Sequence, residues 1–393
     1  MEKLITENTV LNSLEAYAFD EVDRMRDELK AKGVDVIDFG VGDPDTPTPE
    51  IIRNAVKKAI DSRKSAGYPR NAGTPEFLQE IVAWNKKRFG VTLDPATQIA
   101  SSIGSKEAVF NFHLAFVNPG DVVLVPNPGY PPYERGTLFA RGIPVFMNLL
   151  EENNYLPDFE KIDSETAKKA KIMWINYPNN PTASMATEEF FKKAIKFCSE
   201  NEIILVSDEA YSEMYFDEKP HSILEYGMEG IVAINSLSKR SAMTGYRIGW
   251  LAGDEKIIKA YKKLKGNIDS GTATFIQDAA TEALKDEAHV ETMRKEYQQK
   301  RDILLEAFDS IGLPKSVPAG TFYIWQKVPE GYTSVDFSKK MLVDDVALVA
   351  TPGSFLSKEV DGVNPGEGFV RFALVPSIER TKEAARRIKT LKI

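Results

Sequence analysis

Short apolar runs alternate with amphipathic segments along most of the chain, and this alternation limits the possible folds more than any other feature. The runs have the length of buried strands, and the segments between them, such as residues 106–116 and 187–199, carry apolar residues at helical spacing. Strands and helices that alternate in this way form a mainly parallel sheet with helices on both faces. The predicted strands are residues 99–103, 122–125, 172–175, 203–206, 231–234 and 248–252.

The pattern changes after about residue 285. A long charged helix over residues 288–308 precedes three strand-like stretches, 320–325, 346–350 and 368–374, and a basic helical end. Near the start, residues 14–30 have helical spacing and residues 36–39 predict a short strand. A chain of 393 residues exceeds a typical domain. We therefore expect a large domain of residues 48–285 and a smaller α+β domain of residues 1–47 and 286–393.

The composition excludes several classes of protein. The net charge of -8 argues against a nucleic-acid partner. A single cysteine, Cys198, excludes a disulfide framework, and the three histidines are too far apart for a HExxH site, so no metal is predicted. Because no apolar run reaches the roughly 20 residues of a membrane span and the first residues do not form a signal peptide, we expect a cytoplasmic protein without membrane contact.

Polar residues follow the predicted strands, and in an open parallel sheet ligands bind at this carboxyl edge. Gly104 and Ser105 begin a helix, whose free N–H groups and positive dipole end favour a phosphate. The hydroxyls of Ser236 and Ser238 and the guanidinium of Arg247 come from a neighbouring part of the same edge. These residues together predict a phosphate site.

Three further strand-end residues extend this interpretation. Asp208 provides a carboxylate, Tyr130 a flat aromatic ring, and Lys239 an amine that loses its proton easily in a dry pocket near other cations. Each residue alone has an ordinary structural explanation, such as a helix cap or a solvated side chain. Their joint occurrence indicates a pyridoxal phosphate site. The alternative, a dinucleotide-dependent oxidoreductase, needs GxGxxG, but Gly40-Val41-Gly42 is followed by no third glycine.

Four motifs resemble those of the fold-type I, class I and II aminotransferases, and the resemblance extends from about residue 14 to about residue 387. They are Asn176-Tyr177-Pro178-Asn179-Asn180-Pro181-Thr182, Ser207-Asp208-Glu209-Ala210-Tyr211, the stretch from Ser236-Leu237-Ser238-Lys239 to Arg247-Ile248-Gly249, and Gly368-Phe369-Val370-Arg371. The resemblance implies an α/β fold whose large domain has a mainly parallel seven-stranded sheet flanked by helices. It also implies a pyridoxal phosphate enzyme that moves an amino group from an L-amino acid to a 2-oxo acid.

The resemblance implies a role for each matched residue. Lys239 would bond to the cofactor and move a proton, Asp208 would pair with the ring nitrogen, and Asn180 and Tyr211 would bind the ring oxygen. Tyr130 would stack on the ring. The phosphate would be held by Ser105, Lys106, Ser236, Ser238 and Arg247, with Tyr68 of a neighbouring subunit. Arg371 would bind the substrate α-carboxylate beside Gly42 and Asn180, and Tyr17 would close over the substrate. The implied assembly is a homodimer with shared active sites.

The chain departs from the family pattern at a few positions. Ala183 stands where the family usually has glycine, and Arg240-Ser241-Ala242 replaces a commoner Thr-Tyr-Asn or Thr-Phe-Asn after the lysine. Glu15 and Ala16 stand where one branch has two prolines. The first two departures leave Asn180 and Lys239 intact, so the implied chemistry is unchanged.

Loop sequences resemble the LL-diaminopimelate aminotransferase branch. They are Gly42-Asp43-Pro44-Asp45-Thr46-Pro47-Thr48-Pro49, Leu149-Leu150-Glu151-Glu152-Asn153, Asn267-Ile268-Asp269-Ser270-Gly271 and Val328-Pro329-Glu330-Gly331-Tyr332-Thr333-Ser334. This resemblance favours LL-diaminopimelate as amino donor and 2-oxoglutarate as acceptor, in lysine biosynthesis. An aspartate-, alanine- or succinyldiaminopimelate-type aminotransferase remains an alternative, as does a carbon–sulfur lyase of the same fold. Arg70 and Arg135 are the only arginines near the predicted site loops that could bind a distal carboxylate, and neither matches a family arginine.

Overall fold

The computed structural model describes residues 7–14, 20–44, 46–65, 67–343 and 345–393. The α-helices in these ranges are α1 (Thr9–Ser13), α2 (Asp20–Ala31), α3 (Glu50–Ser62), α4 (Pro75–Phe89), α5 (Ser105–Phe116), α6 (Pro132–Phe139), α7 (Ser164–Lys169), α8 (Glu188–Glu200), α9 (Leu237–Arg240), α10 (Glu255–Lys265), α11 (Thr274–Lys285), α12 (Ala288–Ser310), α13 (Ser334–Met341) and α14 (Ile378–Ile388). The strands are β1 (Ile37–Asp38), β2 (Ile99–Ser102), β3 (Val122–Asn127), β4 (Ile143–Asn148), β5 (Ala170–Asn176), β6 (Ile204–Asp208), β7 (Ile231–Ser236), β8 (Gly249–Gly253), β9 (Tyr323–Lys327), β10 (Leu348–Val349), β11 (Thr351–Pro352) and β12 (Phe369–Ala373).

Seven strands form one mainly parallel sheet, as predicted, in the order β2-β8-β7-β6-β5-β3-β4. The exception is β8, which is antiparallel to both of its neighbours. A strand that runs antiparallel to its neighbours begins at the edge of the sheet where those neighbours end. The residues just before β8, including Arg247, therefore lie at the same edge as the carboxyl ends of the other strands.

The edge strand β4 is absent from the sequence prediction. It contains Pro144, and only Met147 of its six residues is fully buried. Proline lacks the N–H that a central strand needs, so it is tolerated at an edge, where one side of the strand has no partner. The apolar signal of a buried strand is correspondingly weaker here.

Helices cover both faces of this sheet. On one face, α3, α4, α8 and α11 pack around the edge-to-face pair of Trp84 and Trp250, whose ring centroids are 5.5 Å apart. On the other face, α5, α6 and α10 pack around Phe112, Trp174 and Tyr261. Burial of each such side chain contributes roughly 1.5–3 kcal/mol. These two clusters fix the sheet as a rigid platform for its carboxyl edge.

The termini of α4 illustrate how the sequence sets helix ends. Thr74 caps the start by accepting a hydrogen bond from the N–H of Phe77, and Pro75 occupies the first turn, where no N–H partner is needed. Gly90 ends the helix with a φ of 72°, a left-handed conformation that costs glycine little.

A separate apolar core forms where α12, α13 and α14 pack near the antiparallel sheet β11-β12-β9. The N-terminal part of the chain joins this region, because β1 pairs with β10 through Ile37 and Leu348. The division into residues 48–285 and residues 1–47 with 286–393 stays a prediction. Within the described residues, no helix is both long and apolar enough to cross a membrane.

Candidate active site

A cavity of about 960 Å³ opens at the carboxyl edge of the large sheet and extends to the region of the smaller sheet. Most residues predicted for the site line this one cavity. They are Gly42, Ser105, Lys106, Tyr130, Asn180, Asp208, Tyr211, Ser236, Ser238, Lys239, Arg247 and Arg371. The strand-end argument and the family resemblance together therefore predicted residues that line one cavity, although they lie up to 329 positions apart in sequence, from Gly42 to Arg371.

Asp208 is the last residue of β6 and is buried at the base of the cavity. Burial raises the pKa of its carboxyl group to about 6, while a hydrogen bond from Tyr133 lowers it. The Tyr133 hydroxyl donates to Asp208 Oδ2 at 2.7 Å. The backbone N–H of Ala210 donates to the other oxygen at 3.1 Å. These two donors stabilise the ionised carboxylate where water cannot reach it.

Lys239 lies in the short helix α9, just after β7, and its Nζ donates to the carbonyl of Gly42 at 2.8 Å. Burial lowers the pKa of the amine to about 8, and the cations Arg371 and Arg247 act in the same direction against the charge of Asp43. An amine in this state is a usable nucleophile and base near neutral pH.

Arg371, in β12, is oriented by several contacts on the opposite wall. Its Nη1 donates to Asn180 Oδ1 at 3.0 Å and its Nη2 to the carbonyl of Gly40 at 2.8 Å. The guanidinium lies 4.6 Å from the centroid of the Tyr323 ring. Among the described residues the buried Nε has no hydrogen-bond partner. These contacts hold the guanidinium at the cavity wall, where its two Nη groups could exchange their present acceptors for the oxygens of a carboxylate.

The start of α5 and the loop before β8 form a cradle for an anion. Gly104, with a φ of 73°, lies so close to the guanidinium of Arg247 that a β-carbon there would collide with it. Ser105 follows as the first residue of α5, so its N–H is free of helix partners. The Ser236 hydroxyl accepts a hydrogen bond from the backbone N–H of Ser238 at 3.1 Å, and both serines line the cavity.

Comparison with known proteins agrees with this geometry. The family model for aminotransferase class I and II matches residues 34–388. The chain belongs to the class I and II aminotransferases. It is 47% identical to the LL-diaminopimelate aminotransferase of Aquifex aeolicus, over 98% of both chains. Among solved structures, an aminotransferase from Neisseria meningitidis superposes with a TM-score of 0.91 at 31% identity, covering 98% of this chain and 100% of that one. A probable N-succinyldiaminopimelate aminotransferase from Thermus thermophilus gives 0.87 at 30% identity, covering 95% and 99%.

Members of this family use pyridoxal phosphate, and the residues of this aminotransferase fit that cofactor. The anion cradle suits the phosphate, Asp208 suits a protonated ring nitrogen, and Lys239 supplies an amine of lowered pKa at the wall of the same cavity. Burial raises the pKa of the Tyr130 hydroxyl to about 12, helped by the charge of Asp208, so this ring remains neutral beside the cavity.

One predicted residue of the described part of the chain, Tyr68, does not line this cavity. The side chain of Tyr68 is 93% exposed in the single chain, so its predicted role for a neighbouring subunit stays a prediction. Tyr17 lies outside the described residues, as do Glu15 and Ala16. Of the two arginines considered for a distal carboxylate, Arg135 lines the cavity.

The departures from the family pattern leave the aminotransferase site intact. Ala183 adopts a φ of 59°, the left-handed conformation that its usual glycine would adopt at lower cost. Arg240 points into the interior, where it forms an ion pair with Glu287 at 2.7 Å. Ser241 bonds to His289 at 2.9 Å behind α9. These replacements therefore fill space behind Lys239 and do not enter the cavity.

Sequence reasoning missed two tyrosines of the aminotransferase site. Tyr133 follows Tyr130 by three positions, close to one helical turn. This spacing could have predicted that both tyrosines lie near the end of β3. Tyr323 hydrogen-bonds to the Tyr211 hydroxyl at 3.1 Å and lies beneath Arg371. Its hydroxyl also lies where a β-carbon at Gly42 would be, which explains the glycine. Tyr323 comes from β9, outside the sheet whose strand ends were considered.

Proposed function

We propose that this aminotransferase transfers the amino group of LL-diaminopimelate to 2-oxoglutarate, a step of lysine biosynthesis. The observation that carries the proposal is the full-length similarity to proteins named LL-diaminopimelate aminotransferase, at 42–47% identity. The site is compatible with it, because Arg371 is arranged to bind an α-carboxylate. The roles given below to single residues are part of the proposal.

Pyridoxal phosphate supplies a conjugated ring that withdraws electrons from the substrate α-carbon. The protein controls the protons and the orientation around it. Asp208 keeps a negative charge at the ring nitrogen, so that the nitrogen holds its proton, and Tyr133 keeps that carboxylate ionised. Asn180 and Tyr211 line the same cavity and would provide hydrogen-bond donors to the ring oxygen.

Substrate orientation and proton transfer fall to Arg371 and Lys239. Arg371 binds the α-carboxylate by two parallel bonds, exchanging its present contacts with Asn180 and Gly40 for the substrate oxygens. The amine of Lys239 would take the proton from the substrate α-carbon as a base and, as an acid, would give it to a carbon of the cofactor. A pKa of about 8 suits both directions at neutral pH.

The assembly and location are also proposals. We propose a homodimer in which Tyr68 binds the partner's phosphate, because the family resemblance implies this role and the 93% exposed side chain is available to a second subunit. The cytoplasmic location stays a prediction from the sequence. We propose the domain boundaries at 47/48 and 285/286 because one apolar core packs on the large sheet and another forms near the smaller sheet.

A panel of half-reactions tests the substrate. The enzyme with bound cofactor is mixed with LL-diaminopimelate, N-succinyl-LL-diaminopimelate, aspartate or alanine, and loss of the cofactor absorption band is followed. We expect the highest kcat/KM for LL-diaminopimelate. A much higher value for another amino acid would refute the substrate and leave the aminotransferase class unchanged.

A second measurement separates transamination from lyase chemistry. Restoration of the original absorption band by 2-oxoglutarate, with glutamate formed in equal amount, is expected of an aminotransferase. Pyruvate and ammonia formed without an oxo-acid acceptor would identify a lyase. Lys239→Ala is the control, because it should abolish turnover while leaving the cavity open to both ligands.

A further inference from the structure

The cavity continues beyond the residues described above into an outer part on α6 and the loop after β11. Its lining there includes Glu134, Arg135, Leu138, Phe146 and Lys358. Two apolar side chains thus lie among three charged ones. A cofactor and a short amino acid do not require these residues. A long substrate with a charged far end would require both the apolar and the charged side chains.

Helix α6 connects this outer part rigidly to the inner site. It begins directly after Tyr130, and its Tyr133 is bonded to Asp208. Arg135 follows Tyr133 by two positions, which turns its side chain about 200° around the helix, away from Asp208. Leu138 is three positions beyond Arg135, so both lie on one face of α6. The distance from the inner site to this face is therefore set by one short helix.

Arg135 has unused binding capacity. It is half-buried at the cavity wall, and no carboxylate of the described residues forms an ion pair with its guanidinium. Glu134 pairs with Lys358 only at 3.9 Å, and about a quarter of its side chain is exposed (25%). An arginine held at a cavity wall with all of its side-chain donors available is suited to a carboxylate. A carboxylate beside it is suited to an ammonium.

We propose that Arg135 binds the distal carboxylate and Glu134 the distal ammonium of a long zwitterionic amino acid whose α-carboxylate is bound by Arg371. The methylene chain of this substrate packs against Leu138 and Phe146. The inference rests on the proposed function and deepens it, because LL-diaminopimelate has an ammonium and a carboxylate at both ends.

Three substrates that differ only at the far end separate the two roles. LL-diaminopimelate has both distal charges, L-2-aminopimelate has only the carboxylate, and L-2-aminoheptanoate has neither. Half-reaction kcat/KM values are measured for the wild type, Arg135→Gln, Glu134→Gln and the exposed control Arg53→Gln, with thermal unfolding as a check on folding.

Arg135→Gln should lower kcat/KM for LL-diaminopimelate and L-2-aminopimelate by roughly 10- to 100-fold and leave L-2-aminoheptanoate within about threefold. Glu134→Gln should affect LL-diaminopimelate alone. Arg135→Lys should retain part of the activity, because it keeps the charge and loses the bidentate geometry. Arg53→Gln should change none of the three values.

The proposal is overturned if Arg135→Gln has no effect on either carboxylate substrate, or if it lowers all three values equally. Its failure is distinct from failure of the proposed function. A wild-type enzyme that prefers aspartate or alanine would refute LL-diaminopimelate as the physiological substrate. The role of Arg135 would still be tested by the kcat/KM for L-2-aminopimelate divided by that for L-2-aminoheptanoate. A ratio near one in the wild type would refute its role.

Discussion

The amine of Lys239 should titrate far below an ordinary lysine, and this can be measured in the protein without cofactor. Burial lowers its pKa to about 8 from the usual 10.5, and Arg371 and Arg247 contribute in the same direction. At pH 7 the uncharged fraction would be about one in ten, compared with roughly one in 3,000 for an unperturbed lysine. The structure therefore predicts about a 300-fold gain in reactive amine.

Two variants should move this pKa in opposite directions. Asp43→Asn removes a negative charge that stabilises the ammonium, so the pKa of Lys239 should fall further below 8. Arg371→Gln removes a buried positive charge that destabilises the ammonium, so the pKa should rise. A general change in folding or solvent access would not produce opposite signs.

Peptide-resolved acetylation measures the effect without any turnover. Apo protein is pulsed with acetic anhydride between pH 6 and 11, and mass spectrometry compares the rate at Lys239 with that at the exposed Lys168 of α7. We expect a midpoint near pH 8 for Lys239 in the wild type. A midpoint above about 10, or shifts of the same sign in both variants, would refute the electrostatic argument.

Three further outcomes are expected. Tyr133→Phe removes a 2.7 Å hydrogen bond to Asp208, whose pKa should rise above about 6, so the cofactor should dissociate faster at pH 7 in dialysis; unchanged dissociation would contradict this. Burial lowers the pKa of His113 to about 4, so the unfolded state binds the proton better and stability should fall as pH drops from 6.5 to 4. The loss should approach about 3 kcal/mol, and His113→Gln should flatten this slope in urea unfolding; parallel slopes would count against it. Mixed dimers of a Lys239→Ala chain and a Tyr68→Phe chain should regain one intact site, and exchanged dimers without recovery would exclude shared sites.

The inner site could be predicted from sequence because a parallel sheet converts chain order into spatial proximity. Asp208 and Ser236 end two strands and Lys239 follows the second one, and these strands share one direction, so their ends meet at one edge. Arg247 fits the same rule by a different route, since it precedes the antiparallel strand β8. Family resemblance then supplied the roles, which position alone does not determine.

Other features depend on side-chain directions that a strand pattern does not encode. Tyr133 reaches Asp208 only because the rotation of α6 about its axis turns this side chain toward Asp208. Tyr323 reaches Tyr211 only because the fold brings β9 close to the end of β6. The edge strand β4 was missed for a related reason, because its burial depends on a neighbour on one side only. Long-range packing decides all of these contacts, and no local window of sequence contains it.

One physical cause acts in opposite directions on the two central ionisable groups. Burial disfavours charge, so it raises the pKa of Asp208 to about 6 and lowers that of Lys239 to about 8. The local partners then separate their roles. Tyr133 donates to Asp208 and favours its negative form, whereas Arg371 and Arg247 favour the neutral form of Lys239. The same buried cavity thus maintains two different groups. The Asp208 carboxylate can keep the ring nitrogen of the cofactor protonated, and the Lys239 amine can take a proton from the substrate.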